Sequence, residues 1–535
     1  MLLQKFYLLN LKKVFILLTN LLNLVILYLM HRFKPITVRG KMKIGFDNEK
    51  YLELQSKEIL KRINDNNGKL YLEFGGKLFD DLHASRVLPG FDPNIKIKLL
   101  KKLKEQTEII LVISAVDIER NKIRADFDIT YDLEVLRLID NLRTEGLEVS
   151  AVVITLFNGQ QSAKLFGNKL ERRNERVYYH HLTKGYPHDV NTIVSEDGYG
   201  SNPFIKTEKP LVVISAPGPN SGKLATCLSQ LYHEFKRGVK AGYAKYETFP
   251  VWNLPLKHPV NVAYETATAD VKDVNMIDPF HFNAYNQIAV NYNRDIDVFP
   301  VLKNILQKIT QKECIYKSPT DMGVNMVAQA IIDDKIVSEA SRQEIIRRYY
   351  RAKCDYKNGL VENFVPEKIS VCMYDLNISE KERLVTTAAL QKQKETTSPS
   401  FALQLDDGKI ICGRTKSLVS APTACILNCL KELSQIGDDI DLIPSNILQP
   451  ILSLNSKILD KKFGVLGLKD VLIALSVSAT INPVAKRALE NINKLKGTQA
   501  HSTYILPASE AEVLKKIGIN VTCEPIFISK NLYNN

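Results

Sequence analysis

Short apolar runs rich in β-branched residues recur between helix-length segments over the first half of this chain, at 69–74, 108–114, 148–157, 211–215 and 241–247. A strand with apolar side chains at successive positions leaves no face for water, so both of its faces must be covered. The intervening segments supply that cover. Residues 49–63 carry Leu52, Leu54, Ile59, Leu60 and Ile63 at helical spacing, and 94–106 and 133–145 read as helices too. Such alternation predicts an α/β fold with a mostly parallel, doubly wound sheet, whose ligands bind beyond the carboxyl ends of the strands.

The run at 211–215 leads into Ala216-Pro-Gly-Pro-Asn-Ser-Gly-Lys-Leu-Ala-Thr226. Backbone N–H groups at a strand-to-helix turn, with the helix dipole behind them, form a pocket for an anion. Gly218, Asn220, Ser221 and Gly222 would supply the cradle, and Lys223 would reach a phosphate as a point charge. A strict Walker A sequence needs Gly-x4-Gly-Lys-Ser/Thr. Here Pro217 stands where the first Gly belongs, and Leu224 replaces the hydroxyl that fixes magnesium. Thr226, two residues on, faces differently on the helix. The predicted site is an anion cradle that lacks its usual metal ligand. After the helix, Gly238 and then Ala241-Gly-Tyr-Ala-Lys-Tyr-Glu247 resemble the second strand of dethiobiotin-synthetase-type and MinD-like nucleotide enzymes, over this short stretch only. The resemblance implies Lys223 and Lys245 beside phosphate, with Asp270, Asp273 or Asp278 as magnesium ligands.

A second candidate follows the first strand: Gly75-Gly76 allow close backbone approach, Lys77, His83 and Arg86 add donors, and Asp80 and Asp81 are general-base or metal-ligand candidates. The alternative is a tight connection with a solvated polar face. Catalytic candidates are thus Asp80, Asp81, His83, Arg86 and, from the polar stretch 251–299, His281. That stretch reads as irregular, ligand-facing loops; its Asn and Asp residues equally suit turns. Residues 178–189 hold His180, His181 and His188 without an established metal-ligand spacing, which predicts a surface or substrate-binding loop.

Past Pro366, residues 369–374 read as a strand, and a hairpin at 401–413 precedes a helix at 422–433. This order resembles the opening of a cytidine-deaminase-like layer, but neither His-x-Glu nor Pro-Cys-x-x-Cys is present, so no zinc is expected. Cys425 and Cys429 are read as core residues. The chain has 535 residues, too many for one ordinary core. The expected division is an extension at 1–41, an α/β phosphate-binding domain at 42–300, a helical connector at 301–366 and a smaller α/β domain at 367–535.

The formal net charge of +13 favours anionic ligands. The Lys and Arg residues are spread along the chain, with no finger, helix-turn-helix or RNA-type aromatic pattern, so nucleic acid is not an expected partner. Eight cysteines without Cys-x-x-Cys suit a reducing, cytoplasmic setting. Residues 14–30 are apolar except for Thr19, Asn20 and Asn23, slightly short for a span and without a cleavage site. The extension is read as non-native, with Met42 as the start; the alternative is a membrane anchor through 14–30.

The strings Leu72-Glu-Phe-Gly-Gly-Lys77, Ala84-Ser-Arg-Val-Leu-Pro-Gly-Phe91 and Pro217 through Glu234 closely resemble an uncharacterised bacterial protein family from Met42 onward. The resemblance implies an α/β N-terminal part, a helical connector and a smaller α/β C-terminal part, and it carries no mechanism. The expected function is binding of a nucleotide or other phosphorylated small molecule, with ATP and magnesium used by a kinase- or ligase-like enzyme. The alternative is a non-catalytic ligand-binding or scaffold protein. A homo-oligomer is compatible with either, and a membrane partner only with a translated extension.

Overall fold

All five apolar runs become strands of one seven-stranded sheet. The computed structural model describes residues 44–66, 68–124, 129–458 and 464–529. The extension at 1–41, with its apolar run at 14–30, lies outside the described residues. Among the described residues no helix is long and apolar enough to cross a membrane.

The strands are β1 (Leu70–Phe74), β2 (Thr107–Ser114), β3 (Glu148–Thr155), β4 (Val177–Tyr179), β5 (Leu211–Ser215), β6 (Gly242–Tyr246) and β7 (Gly323–Val324). They lie in the order β7-β6-β1-β5-β2-β3-β4, and every neighbouring pair is parallel. Every residue of β2 and β5 is buried. Alternate side chains serve opposite faces, as the pleat requires. Leu72, Ile109, Leu111, Val152 and Val213 pack with Ile59, Leu99 and Leu138 on one face. Tyr71, Ile110, Val153, Val212 and Ile214 pack with Leu228, Leu231 and Phe299 on the other. The runs are mostly apolar because both faces are core, with charged residues such as Glu73, Lys245 and Glu247 towards their ends.

The central neighbours β1 and β5 send their chains in opposite directions, β1 towards β2 and β5 towards β6. Such a reversal marks the carboxyl ends of the two strands as the place for a ligand. The Gly75-Gly76 and 216–222 turns occupy those ends.

The stretch 251–299 is more regular than its composition suggests. It holds the helices Pro259–Ala267 and Pro279–Tyr285, a two-stranded ribbon of Asn275–Ile277 with Val290–Tyr292, and the start of helix Asn293–Thr310. His258 and Asp278 cap the first two helices, each followed by Pro, which suits a first helical position because its missing N–H would be unpaired there anyway. Residues 369–374 are not a strand but part of helix Phe364–Asp375. Pro366 sits in its first turn, where no intrahelical bond is lost, and Val365, Ile369 and Met373 bury at four-residue spacing.

The C-terminal part has a four-stranded sheet of β8 (Ser400–Gln404), β9 (Ile410–Arg414), β10 (Gln499–Ser502) and β11 (Asn520–Cys523) in the order β9-β8-β10-β11. β8 runs antiparallel to both neighbours, and β10 and β11 are parallel. The expected hairpin and following helix, Ala421–Leu433, are present, and Cys425 and Cys429 lie in this core.

Candidate functional site

The 216–222 turn is built to hold its shape. Gly222, the N-cap of helix Lys223–Lys236, has φ +85° and supplies no side-chain cap. Thr155, at the end of β3, donates its hydroxyl to the Ser221 carbonyl at 2.7 Å. The Ser221 hydroxyl is spent on the Gly218 carbonyl at 2.8 Å. The Tyr131 ring lies so close that a Cβ at Gly218 would sit 2.2 Å from its hydroxyl. Asn220, at φ +59°, completes the reversal and is exposed.

This arrangement leaves donors over. Among the described residues, no backbone or side-chain acceptor meets the amides of Gly218, Asn220, Ser221, Gly222 or Lys223. Helix starts leave such groups unpaired unless a cap, water or ligand takes them. Lys223 also has no carboxylate within ion-pair distance among the described residues; burial lowers its pKa, Glu73 works against that shift, and Lys245 and Arg294 add to it. Thr226 cannot stand in for the hydroxyl missing at Leu224, because it is buried and donates to the Gly222 carbonyl at 3.0 Å.

Beside the turn, the ends of β1 and β6 carry a charged cluster. Glu73 is in register with Lys245 and accepts from the Tyr243 hydroxyl at 2.9 Å. Lys245 Nζ pairs with Glu247 at 2.8 Å and with Asp295, in the first turn of Asn293–Thr310. Burial opposes the charge on Lys245, but Asp295, Glu247 and Glu73 raise its pKa well above the ordinary value. Burial pushes the Glu247 carboxyl up to about 6, with Lys245 acting against the rise and Asp295 adding to it. Lys245 lies within electrostatic reach of Lys223, and two carboxylates hold its ammonium.

The three aspartates considered for magnesium go to different places. Asp270 is exposed. Asp273 is buried against Arg294 at 3.3 Å and lies within electrostatic reach of Asp295 and Lys245. Asp278 is completely buried and fully engaged: it caps Pro279–Tyr285 by accepting from the amides of Phe280 and His281, and it accepts from the amide and hydroxyl of Thr320. Among the described residues, no three His, Cys, Asp or Glu side chains stand together in an arrangement that could hold a metal ion.

The β1 end divides similarly. The Gly75 amide donates to the Tyr246 carbonyl at 3.0 Å, and a Cβ there would meet that oxygen at 2.7 Å. Asp80 faces Arg137 at 3.5 Å. Asp81 caps helix Leu82–Val87 and pairs with the buried Lys96 at 3.0 Å. Burial opposes its ionisation, but Lys96 and His83 hold its carboxyl below the ordinary range. His83 and Arg86, on that helix, converge on Glu344 at 3.0 and 2.8 Å. His281 instead meets the Ser318 hydroxyl at 2.9 Å. In the histidine-rich segment, His180 and His181 turn to the carbonyls of Pro203 and Phe157.

Glu73, Glu247, Asp295, Glu344, Arg347 and Arg348 were not candidates in the sequence. Glu73 and Glu247 have a positional signal at the ends of their strands, and Glu344, Arg347 and Arg348 share helical spacing; contacts far apart along the chain join Arg86 to Glu344 and Asp295 to Lys245.

The chain matches the model described as Domain of unknown function DUF1846, N-terminal, over residues 44–377, and its C-terminal counterpart over 381–533. It is similar to a UPF0371 protein of Clostridium botulinum (strain Kyoto / Type A2), 58% identical over 502 residues, spanning 92% of this chain and 100% of the relative. A UPF0371 protein of Clostridium tetani (strain Massachusetts / E88) is 57% identical with the same coverage. The chain belongs to this bacterial family.

Proposed function

We propose, on the premise of that family membership, that the chain binds a nucleotide or other phosphorylated ligand at 217–223 and uses it as an ATP-dependent transferase or ligase in the cytoplasm. One observation carries the reading: five amides around Gly222 and the ammonium of Lys223 all lack partners among the described residues. They gather at the carboxyl end of β5, beside the strand whose chain leaves in the other direction. Backbone donors, a helix dipole and one lysine suit a phosphate. Leu224 supplies no magnesium ligand, so a metal travelling with the nucleotide would keep phosphate and water ligands and take at most a single carboxylate from Glu73, Glu247, Asp273 or Asp295. Glu247, with a carboxyl near pKa 6, suits a proton acceptor working near neutral pH. Eight free cysteines support a reducing compartment.

A non-catalytic ligand-binding reading has its own support. Thr155 and Tyr131 pack the flanks of the turn, and the hydroxyls of Ser221 and Thr226 point inward, so the cradle keeps its shape unaided. Thermal unfolding with ATP, GTP, sugar phosphates and coenzyme A, each with and without Mg²⁺, tests both. A ligand at about 100 times its Kd stabilises by roughly 2.7 kcal/mol. Stabilisation with release of phosphate or transfer product supports the enzyme. Stabilisation without turnover supports the binding protein. No stabilisation by any of them refutes both.

A further inference from the structure

Glu344, on helix Asp334–Lys357, is the meeting point of three guanidinium groups. Its Oε2 accepts from Arg86 Nε at 2.8 Å and Arg347 Nε at 2.6 Å. Its Oε1 accepts from Arg347 Nη2 at 2.5 Å, Arg348 Nε at 3.0 Å and Arg86 Nη2 at 3.4 Å. No other carboxylate pairs with these three arginines among the described residues. Arg351, next along the helix, has its own partner in Asp355 at 3.4 Å. Arg383, 1% exposed, adds another positive charge and donates only to neutral acceptors on Thr522, Gln499, Ala500 and Asn520. Buried charge left unbalanced in this way is costly unless a partner arrives.

The cluster is open on one side. The Glu344 side chain is 1% exposed, whereas Arg86 and Arg348 keep 22% and 19%. Each guanidinium offers more N–H donors than one carboxylate can take, in a planar fork that fits a carboxylate or phosphate. His83 packs against the closed side of the cluster. Its ring is buried, with Nδ1 3.0 Å from Glu344 and 3.1 Å from Arg348, and its Nε2 has no partner. Tyr264 packs on this imidazole at 5.2 Å between ring centres and lies within electrostatic reach of Asp81, Arg348, Asp273 and Glu247. The helix bearing His83 and Arg86 follows β1, so the cluster lies beyond the same edge of the sheet as the 216–222 turn.

We propose that Arg86, Arg347 and Arg348 form a second oxyanion subsite, which takes a carboxylate or phosphate group of the co-substrate. That the anion belongs to a co-substrate rests on the function proposed above; the subsite itself does not.

The test uses the full chain carrying Lys223→Ala, so that binding at the turn is removed. Thermal unfolding is followed in inorganic phosphate and in malonate, against chloride at matched ionic strength. Saturable stabilisation by one of them, with Kd at least tenfold weaker after adding Arg348→Gln or Arg86→Gln, is expected; the preferred anion tells a phosphate from a carboxylate co-substrate. Equal stabilisation in the arginine variants, or none beyond chloride, overturns the subsite. Should those variants fail to fold, wild-type crystals soaked in tungstate decide: density within hydrogen-bond distance of Arg86 or Arg348 supports the proposal, and its absence at saturating tungstate refutes it. An Arg348-dependent anion effect without any nucleotide effect in wild type would refute the nucleotide reading and leave the subsite standing.

Discussion

Thr155 closes against Gly222. Its hydroxyl bonds the Ser221 carbonyl at 2.7 Å, and a Cβ at Gly222 would lie 3.0 Å from three of its side-chain atoms. The last residue of β3 therefore sets the start of the helix that follows β5, two strands away in the sheet.

The turn's dependence on this contact is measurable. Gly222→Ala places a side chain at φ +85° and presses it on Thr155, whereas Gly238→Ala at φ +76° meets nothing within 4 Å. Left-handed backbone alone costs a non-glycine residue about 1–2 kcal/mol. Urea unfolding is expected to show that loss for Gly238→Ala and a larger one for Gly222→Ala. Equal losses would mean that Thr155 yields freely.

Asp278 separates a structural carboxylate from a metal ligand. Asp278→Ala removes a helix cap and the bonds to Thr320, with an expected cost of about 3 kcal/mol. Magnesium dependence of ligand binding is expected to survive. A folded variant that has lost only that dependence would return Asp278 to the metal.

His83 makes stability depend on pH. Burial holds its folded pKa down at about 4, with Arg348 and Arg86 acting the same way and Glu344 opposing, against 6.5 for an ordinary imidazole. On acidification the unfolded chain takes up this proton first. The contribution is therefore full above pH 6.5 and is lost as pH falls towards 4, at up to about 1.4 kcal/mol per pH unit. The difference in stability between wild type and His83→Gln is expected to shrink across that window; a constant difference would contradict the assignment.

How much of this was legible depends on the range of the interactions involved. The five strand runs could be read because burial on both faces writes a continuous apolar string, and the 216–222 turn could be read because its glycines and lysine are contiguous. Asp278 had a local signal as well, since Asp followed by Pro is a helix start, yet its neighbours' polarity suggested a loop. Residues 369–374 read as a strand because the apolar run stands out past Pro366, although Val365, Ile369 and Met373 share a helical face. Of the Glu344 cluster, local pattern shows only the helical spacing of Glu344, Arg347 and Arg348. The cluster joins Arg86 and Glu344 across 258 residues, and along its own helix the same residues resemble any charged surface.

The amides of Gly218, Asn220, Ser221, Gly222 and Lys223, without partners among the described residues, and the Lys223 ammonium are proposed to hold phosphate. Isothermal titration of wild type and Lys223→Ala with ATP, with and without Mg²⁺, and with the other phosphorylated ligands tests this directly. Saturable binding in wild type is expected, weakened at least tenfold in Lys223→Ala, about 1.4 kcal/mol of binding energy, with the variant's unfolding temperature not lowered. Unchanged affinity in Lys223→Ala, or no binding of any phosphorylated ligand by wild type, would contradict it.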